Sequence, residues 1–237
     1  MTRKIVKGRV TPVFVNPSFI PTDFAMCLDR SAHANMNQTV WFAASDARIN
    51  HARTKVIEAF LEQTDSEWAW LLDTDMIFTA DTLPRLLKTA HEKKAKVVAA
   101  LCFIYAKSQG RLYPNIFMYH TDRKPGERRY KHAAVWPNEP FEVDGTGGAC
   151  LLVHREVLEA VRDLNESPYP WQDEVLDPVS GEMDGEDLVF CQRIQRAGYK
   201  IWYDPRIEVG HLKEVVIGLK DYNAFVAKNA GKLVVSP

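Results

Sequence analysis

Two pairs of acidic residues stand out by their settings. In W-L-L-D-T-D-M an apolar run ends on Asp73 and Asp75. Residues i and i+2 of a strand point to the same side. Two carboxylates placed that way need a cation or hydrogen-bond donors to offset their repulsion. Hard oxygen ligands suit Mg²⁺ or Mn²⁺, which commonly hold substrate phosphates as well; two loop-capping aspartates are the plainer alternative. The second pair, Glu186 and Asp187, opens D-G-E-D-L-V-F-C-Q-R-I-Q-R-A-G-Y. Acids favour helix N-termini through the macrodipole, and a carboxylate above a cleft can also take a proton from an attacking hydroxyl. His211, in I-E-V-G-H-L, could complete a metal shell with Asp73 or Asp75 or be an ordinary surface or core histidine. The other six histidines show no H-x-x-x-H spacing. Gly145-Thr146-Gly147-Gly148 permits close backbone approach to a ligand, or a simple tight turn, and lacks the lysine of a phosphate-binding P-loop. Arg123, Lys124, Arg128, Arg129 and Lys131 form a basic loop, either a solvated face or a contact for an acidic acceptor or phosphate.

These groups need elements to hold them, and the chain alternates strand and helix signals, which favours an α/β sheet covered by helices. Residues 11–15 read as a strand stopped by Asn16-Pro17-Ser18, and 39–43 as a second. Asn50 is placed to cap a helix with Val56, Ile57, Phe60 and Leu61 on one face. Residues 67–72 form a buried strand ending at Asp73. Asp81 caps the next helix, whose stripe is Leu83, Leu86, Leu87 and Ala90. The unbroken apolar run 96–104 reads as a strand buried on both faces. Beyond it, β signals at 116–119 and 141–143 lead through the glycines to a strand at 149–153 and a helix over 154–162. Residues 165–183 form a long, proline-bearing loop of the kind used for lids and binding. Its aromatics Tyr169 and Trp171 read as exposed, able to stack on a sugar or planar group or to pin the loop. Asp184 caps a helix ending at Gly198. Residues 199–203 form a strand broken by Pro205, and a last helix covers 216–228.

The chain has 237 residues, 46% apolar and 26% charged, enough for one globular domain with a sizeable core. Thirty-one acids against 30 bases leave a formal charge of -1. That excludes the global basic field of nonspecific DNA or anionic-membrane binding. The longest apolar run, 97–106, is far short of the roughly 20 residues of a membrane helix, so no membrane insertion is expected. The opening M-T-R-K-I-V-K has no hydrophobic signal core. Cys27, Cys102, Cys150 and Cys191 are widely spaced and read as buried reduced thiols. The expected location is the cytoplasm.

The order of the pieces is informative: strand-D-x-D, G-T-G-G-A-C-L-L, then G-E-D-L-V-F-C-x-R-I-x-x-A-G-Y-K-I-W-Y-D-P, then G-H-L. It resembles the GT-A-fold glycosyltransferases, similar to family-2-like enzymes of bacteria and phages, over roughly residues 11–215. The resemblance implies a single GT-A (nucleotide-diphospho-sugar transferase) domain with a mostly parallel central sheet flanked by helices. A nucleotide-binding half would span 11–104, an acceptor half 105–215, and a C-terminal helix and tail 216–237. It implies transfer from a nucleotide-diphosphate sugar, a UDP-sugar first, to an acceptor hydroxyl with inversion, and Mn²⁺ or Mg²⁺ as cofactor. By position, Asp73 and Asp75 would hold the metal and diphosphate with His211 as a third ligand. Asp187, assisted by Glu186, would activate the acceptor, and Gly147 and Gly148 would line the cleft. Pro17 and Ser18 resemble the nucleobase loop. Asp46 stands where a base-contacting acid is expected, although A-A-S-D-A departs from the D-D-x-S pattern. Arg53, in H-A-R-T-K, would contact the diphosphate, and Thr54 replaces the usual Asn. Protein, glycan, lipid-linked and nucleic-acid acceptors all fit the sequence, and the oligomeric state is not specified by it. A nucleotidyltransferase would instead carry a glycine- and arginine-rich loop where this chain has N-P-S-F, and a non-catalytic sugar-nucleotide-binding module would not need every catalytic position filled.

Overall fold

The computed structural model describes residues 10–16, 19–35, 40–43, 48–106, 111–213 and 218–228. In the first half, β1 (Val10–Asn16), α1 (Thr22–Asn35), β2 (Val40–Ala43), α2 (Ile49–Gln63) and β3 (Trp68–Leu72) precede β4 (Met76–Ile77), α3 (Thr82–Lys93) and β5 (Val97–Leu101). The middle holds β6 (Phe103–Ala106), β7 (Arg111–Pro114), β8 (Ile116–Tyr119), β9 (Tyr130–His132), β10 (Phe141–Val143) and β11 (Gly145–Thr146). Then come β12 (Cys150–His154), α4 (Arg155–Asp163), β13 (Val175–Leu176), β14 (Met183–Asp184), α5 (Glu186–Arg196), β15 (Ile201–Glu208), β16 (Gly210–His211) and α6 (Leu219–Lys228). Among the described residues no helix is long and apolar enough to cross a membrane.

A seven-stranded sheet in the order β10-β15-β5-β12-β3-β1-β2 forms the centre. It is mostly parallel: β1, β2, β3, β5 and β15 run one way, and β12 and β10 run against them. The strands alternate their apolar residues between two cores. Ala69 and Leu71 of β3, Leu151 and Val153 of β12 and Val97 and Ala99 of β5 join α2, α4 and α5 on one face. Trp70, Leu72, Leu152, Val98 and Ala100 join α1 and α3 on the other. This explains why β5 carries no polar residue, since both of its faces are covered. All four cysteines are buried and free.

Several local expectations change. α1 was not foreseen; it docks through Phe24, Cys27 and Leu28, an i, i+3, i+4 set too short to announce itself. The N-cap of α2 is Arg48, and Asn50 sits inside the first turn, accepting a bond from the His51 N–H at 2.8 Å. Asp81 does occupy the N-cap of α3, but its side chain bonds Thr79 rather than the helix. The cap of α5 is Gly185, and Asp184 is paired with Arg129 and Gln192 instead. Gly198, at φ +89°, does end that helix in the left-handed conformation glycine tolerates. The 96–104 run splits at Cys102 into β5 and β6. Pro205 does not end β15; the strand continues to Glu208 through a register shift, the irregularity that lets a strand accommodate proline. Trp171 is fully buried, its Nε1–H donating to the Leu158 carbonyl at 2.8 Å, so it pins its loop to the core and offers no stacking face. Tyr169 is half-buried, edge-on to His51.

Candidate functional site

Ligands of open α/β sheets bind beyond the carboxyl ends of the parallel strands, and the conspicuous residues gather there. β3 ends at Leu72 and hands the chain to Asp73. Because β12 runs antiparallel beside it, with Cys150 opposite Leu72, the start of β12 lies at the same edge. The Asp73 N–H donates to the Ala149 carbonyl at 3.0 Å, which brings Gly147 and Gly148 beside the acidic pair. α5 delivers Glu186 and Asp187 to this edge from the other side.

Arg53, early in α2, ties the pieces together. Its Nη2 donates to Asp73 Oδ1 at 2.6 Å and its Nη1 to Asp187 Oδ1 at 2.6 Å, with Glu186 Oε1 and Gln172 Oε1 each at 3.3 Å. Burial alone would lower the guanidinium pKa. The facing Asp187, Asp73 and Glu186 outweigh it and raise the pKa. One cation cannot satisfy three carboxylates. Burial, with Asp187 and Asp75 nearby, therefore pushes Asp73 up despite Arg53, and burial with Asp187 pushes Glu186 up. A Cβ on Gly148 would stand 2.7 Å from Asp187 Oδ1 and 3.3 Å from Arg53 Nη1, so the absence of a side chain there makes room for the bridge. At Gly147 a Cβ would meet Asp187 Oδ2 at an ordinary 3.7 Å.

Asp75 faces elsewhere. The chain turns after Leu72, so the i, i+2 expectation for a strand does not carry past Asp73, and the two aspartates have different cationic partners. Asp75 Oδ2 lies 3.0 Å from His211 Nε2 and accepts from Lys213 Nζ at 2.7 Å. β16 pairs with β4, setting His211 opposite Met76, and the Leu212 N–H donates to the Asp75 carbonyl at 2.8 Å. His211 Nδ1–H donates to the Phe103 carbonyl at 2.9 Å. Burial would raise the Asp75 pKa, but the bonds from His211 and Lys213 hold it down to about 2. The bond to Asp75, then the Cys102 contact, push His211 up to about 10 against its burial.

Among the described residues no three His, Cys, Asp or Glu side chains converge as a ready metal centre. The donor chemistry of Asp73, Asp75 and His211 nevertheless suits Mn²⁺ or Mg²⁺. A histidine whose Nδ1–H is held by a backbone carbonyl is also oriented as metal-ligating histidines usually are.

A cleft opens beside the bridge. Val13, Phe14 and Val15 of β1, Val56 and Ile57 of α2 and Leu71 of β3 form its apolar side, and Arg53, Asp73, Gly148 and Gln172 its polar end. Pro17, Ser18 and Asp46 lie outside the described residues. The basic loop divides: Arg123 and Arg129 both bond the buried Asp177 and Arg129 also pairs with Asp184, whereas Arg128, paired with Glu182, is largely exposed, as are Lys124 and Lys131.

Sequence reading missed three contributors. Gln172 was masked by its aromatic neighbour. Lys213 sits two residues after His211, spacing that could have flagged it. Asn115 is buried; its Oδ1 accepts from the Cys102 N–H at 2.9 Å and from the Tyr203 hydroxyl, and its Nδ2 donates to Thr146 Oγ1 at 3.3 Å, bracing the glycine segment.

A mostly parallel sheet with paired acids beyond its carboxyl edge and an antiparallel strand inserted beside them is the layout of the GT-A glycosyltransferase fold. The family model described as "Glycosyltransferase like family 2" matches residues 29–228, and the chain belongs to that family. It is a glycosyltransferase, on a fold that handles nucleotide sugars. Among solved structures it is similar to A197 from STIV, at 18% identity and TM-score 0.50, covering 87% of this chain and 86% of that one. It is also similar to GalNAc-T7 solved with UDP, GalNAc and Mn²⁺, at 12% identity and TM-score 0.56. That match covers 94% of this chain but only 48% of the GalNAc-T7 chain. Likeness at these identities is likeness of fold. A comparison with curated proteins found no match.

Proposed function

We propose that the protein transfers a hexosyl group from a nucleotide-diphosphate sugar, a UDP-sugar first, to an acceptor hydroxyl, with inversion and with Mn²⁺ or Mg²⁺ as cofactor. The observation that carries this reading is the Arg53 bridge, which joins the D-x-D residue Asp73, 20 positions away, to Asp187, 134 positions away. The apolar lining of the cleft beside it favours contact with an aromatic base, and the family resemblance would assign Pro17, Ser18 and Asp46 to that base. Arg53 would exchange part of its carboxylate contact for the donor diphosphate. That exchange frees Asp187, which lies beside Gly147 and Gly148 where an acceptor can approach closely.

In the reaction the acceptor oxygen attacks the anomeric carbon as the bond from that carbon to the diphosphate oxygen breaks. The acceptor proton passes to Asp187, with Glu186 adding negative charge beside it. Asp73, Asp75 and His211 would hold the divalent ion, which supplies Lewis-acid neutralisation of the leaving diphosphate. In this reading one domain carries a donor half over 11–104, an acceptor half over 105–215 and a tail over 216–237. The buried thiols fit work in the cytoplasm.

The test is Mn²⁺-dependent hydrolysis and transfer of UDP-sugars by purified protein. Asp187→Asn should bind UDP as the wild type does and lose transfer, and Asp75→Ala should lose turnover. Retained transfer in Asp187→Asn overturns the base assignment. Pyrophosphate release from a nucleoside triphosphate plus sugar phosphate would point to nucleotidyl transfer instead.

A further inference from the structure

A second concavity lies on the acceptor half, between the β8–β9 hairpin and the outer face of α5, lined by Tyr119, Arg129, Gln192, Gln195 and Arg196. Tyr119 stacks on Tyr130 with ring centroids 4.9 Å apart and planes 26° from parallel. Tyr130 is buried and covers one face of the Tyr119 ring, while Tyr119 itself, 36% exposed, lines the groove. The Tyr119 hydroxyl donates to Gln195 Oε1 at 2.6 Å, which fixes the ring and leaves the Gln195 amide N–H₂ available. Gln192 is oriented by its bond to Asp184 at 3.0 Å. Both arginines already have partners: Arg129 is held by Asp177 and Asp184 at 3.2 and 2.8 Å, and Arg196 by Glu166 at 2.8 Å. The groove therefore offers a rigid aromatic face and planar amide and guanidinium groups, with its positive charge already matched.

Resting on the glycosyl-transfer reading, the geometry points to a distal acceptor subsite in this groove that takes a neutral saccharide unit, making the acceptor an oligosaccharide rather than a single sugar. An apolar ring face meets the C–H face of a pyranose, and amides around it meet the hydroxyl rim. A carboxylate- or phosphate-bearing ligand would need unmatched cations, which this groove lacks. Its position suits the role. Gln192 and Gln195 lie on the helix that carries Asp187, about 8 and 12 Å further along its axis at 1.5 Å per residue. β11 joins the groove to the glycine cleft: it pairs with β8, and a Cβ on Gly145 would meet Leu188 at 2.9 Å and Tyr130 at 3.2 Å. A saccharide held on Tyr119 thus has its next units directed along α5 toward Asp187.

The test is ligand-observed NMR and calorimetric titration of the full chain with neutral homotrisaccharides of glucose, galactose, mannose and N-acetylglucosamine, with a uronic-acid trisaccharide as the charged comparison. At least one neutral trisaccharide should bind. Tyr119→Ala should weaken that binding tenfold or more, and Tyr119→Phe, which keeps the ring, should hold it within threefold. Gln195→Ala, at the exposed end of the groove, should weaken it severalfold and serves if Tyr119→Ala does not fold. UDP affinity with Mn²⁺ should be unchanged in every variant. Failure of UDP to bind even the wild type would count against the donor reading and leave the saccharide result to be judged by itself. Binding of none of the neutral panel, preference for the charged trisaccharide, or full affinity in Tyr119→Ala overturns the subsite.

Discussion

Replacing Arg53 by alanine perturbs the site at its centre. The side chain is 15% exposed and makes two 2.6 Å bonds to carboxylates that are themselves 33% and 27% exposed. Removing one partner of a fully buried pair costs about 3–5 kcal/mol. Partial solvation of Asp73 and Asp187 reduces this to about 1–3 kcal/mol. For a chain of this size that is a fall in Tm of roughly 2–12 °C. The loss should depend on pH with a defined sign. Asp73 and Glu186 already have raised pKa values in the folded protein. Without Arg53 they rise further, so the folded variant binds protons more tightly than its unfolded chain. Its stability therefore recovers as pH falls from neutral into the weakly acidic range and is lost again as pH rises through the folded pKa values. Added Mn²⁺ should also restore part of the loss by offsetting the carboxylates. The same substitution should weaken UDP binding about tenfold to a hundredfold, the worth of one charge-assisted hydrogen bond of about 1.5–3 kcal/mol. Thermal unfolding at pH 5 and 7 and calorimetric titration with UDP measure both effects. A variant with wild-type Tm at both pH values and UDP affinity within twofold would refute the bridge as the organising contact.

Gly148→Ala should cut donor turnover about tenfold or more, because its Cβ enters within 2.7 Å of Asp187 Oδ1, whereas Gly147→Ala, with 3.7 Å available, should stay within a few fold. Steady-state rates for the two variants side by side check the contrast. Trp171→Ala should cost about 3–5 kcal/mol, a fall in Tm of roughly 6–20 °C, since a fully buried indole and its bond to Leu158 are lost; a change under 1 °C would return Trp171 to the surface. Arg123, with Ser180 and the Val179 N–H, holds Asp177 below the ordinary carboxylate range against its burial. Its stabilisation is present above the unfolded pKa and is lost as pH falls through the depressed folded one, so Asp177→Asn should be less stable than wild type at pH 7. The gap should close only well below pH ~4 in acid-unfolding curves.

Periodicity and strand-end position made β1, β3, β5 and β12 legible, because a strand buried on both faces must be apolar throughout wherever its partners come from. The acids at the start of α5 and beyond β3 were legible for the same local reason. α1 was not, since its docking face is only three described residues. Trp171 and two residues of the basic loop, Arg123 and Arg129, depart from a solvated reading for a shared reason, unlike the exposed Lys124, Arg128 and Lys131: exposure of a charge or an aromatic in a loop depends on what the loop folds against. Here Asp177 absorbs two arginines and the core absorbs the indole.

By itself the sequence determined the alternating α/β architecture, the two acidic pairs, the glycine segment and the histidine that follows them. Each is a property of neighbouring residues, read through strand and helix periods. Only the tertiary structure decided which groups meet. It set β12 antiparallel beside β3, so that Gly148 leaves room at Asp73 and Asp187. It gave Asp73 to Arg53 and Asp75 to His211 and Lys213. It also turned Tyr119 and Gln195 toward a common groove. These contacts join residues 20 to 138 positions apart, and a one-dimensional pattern specifies that a side chain needs a partner without specifying which one the fold supplies.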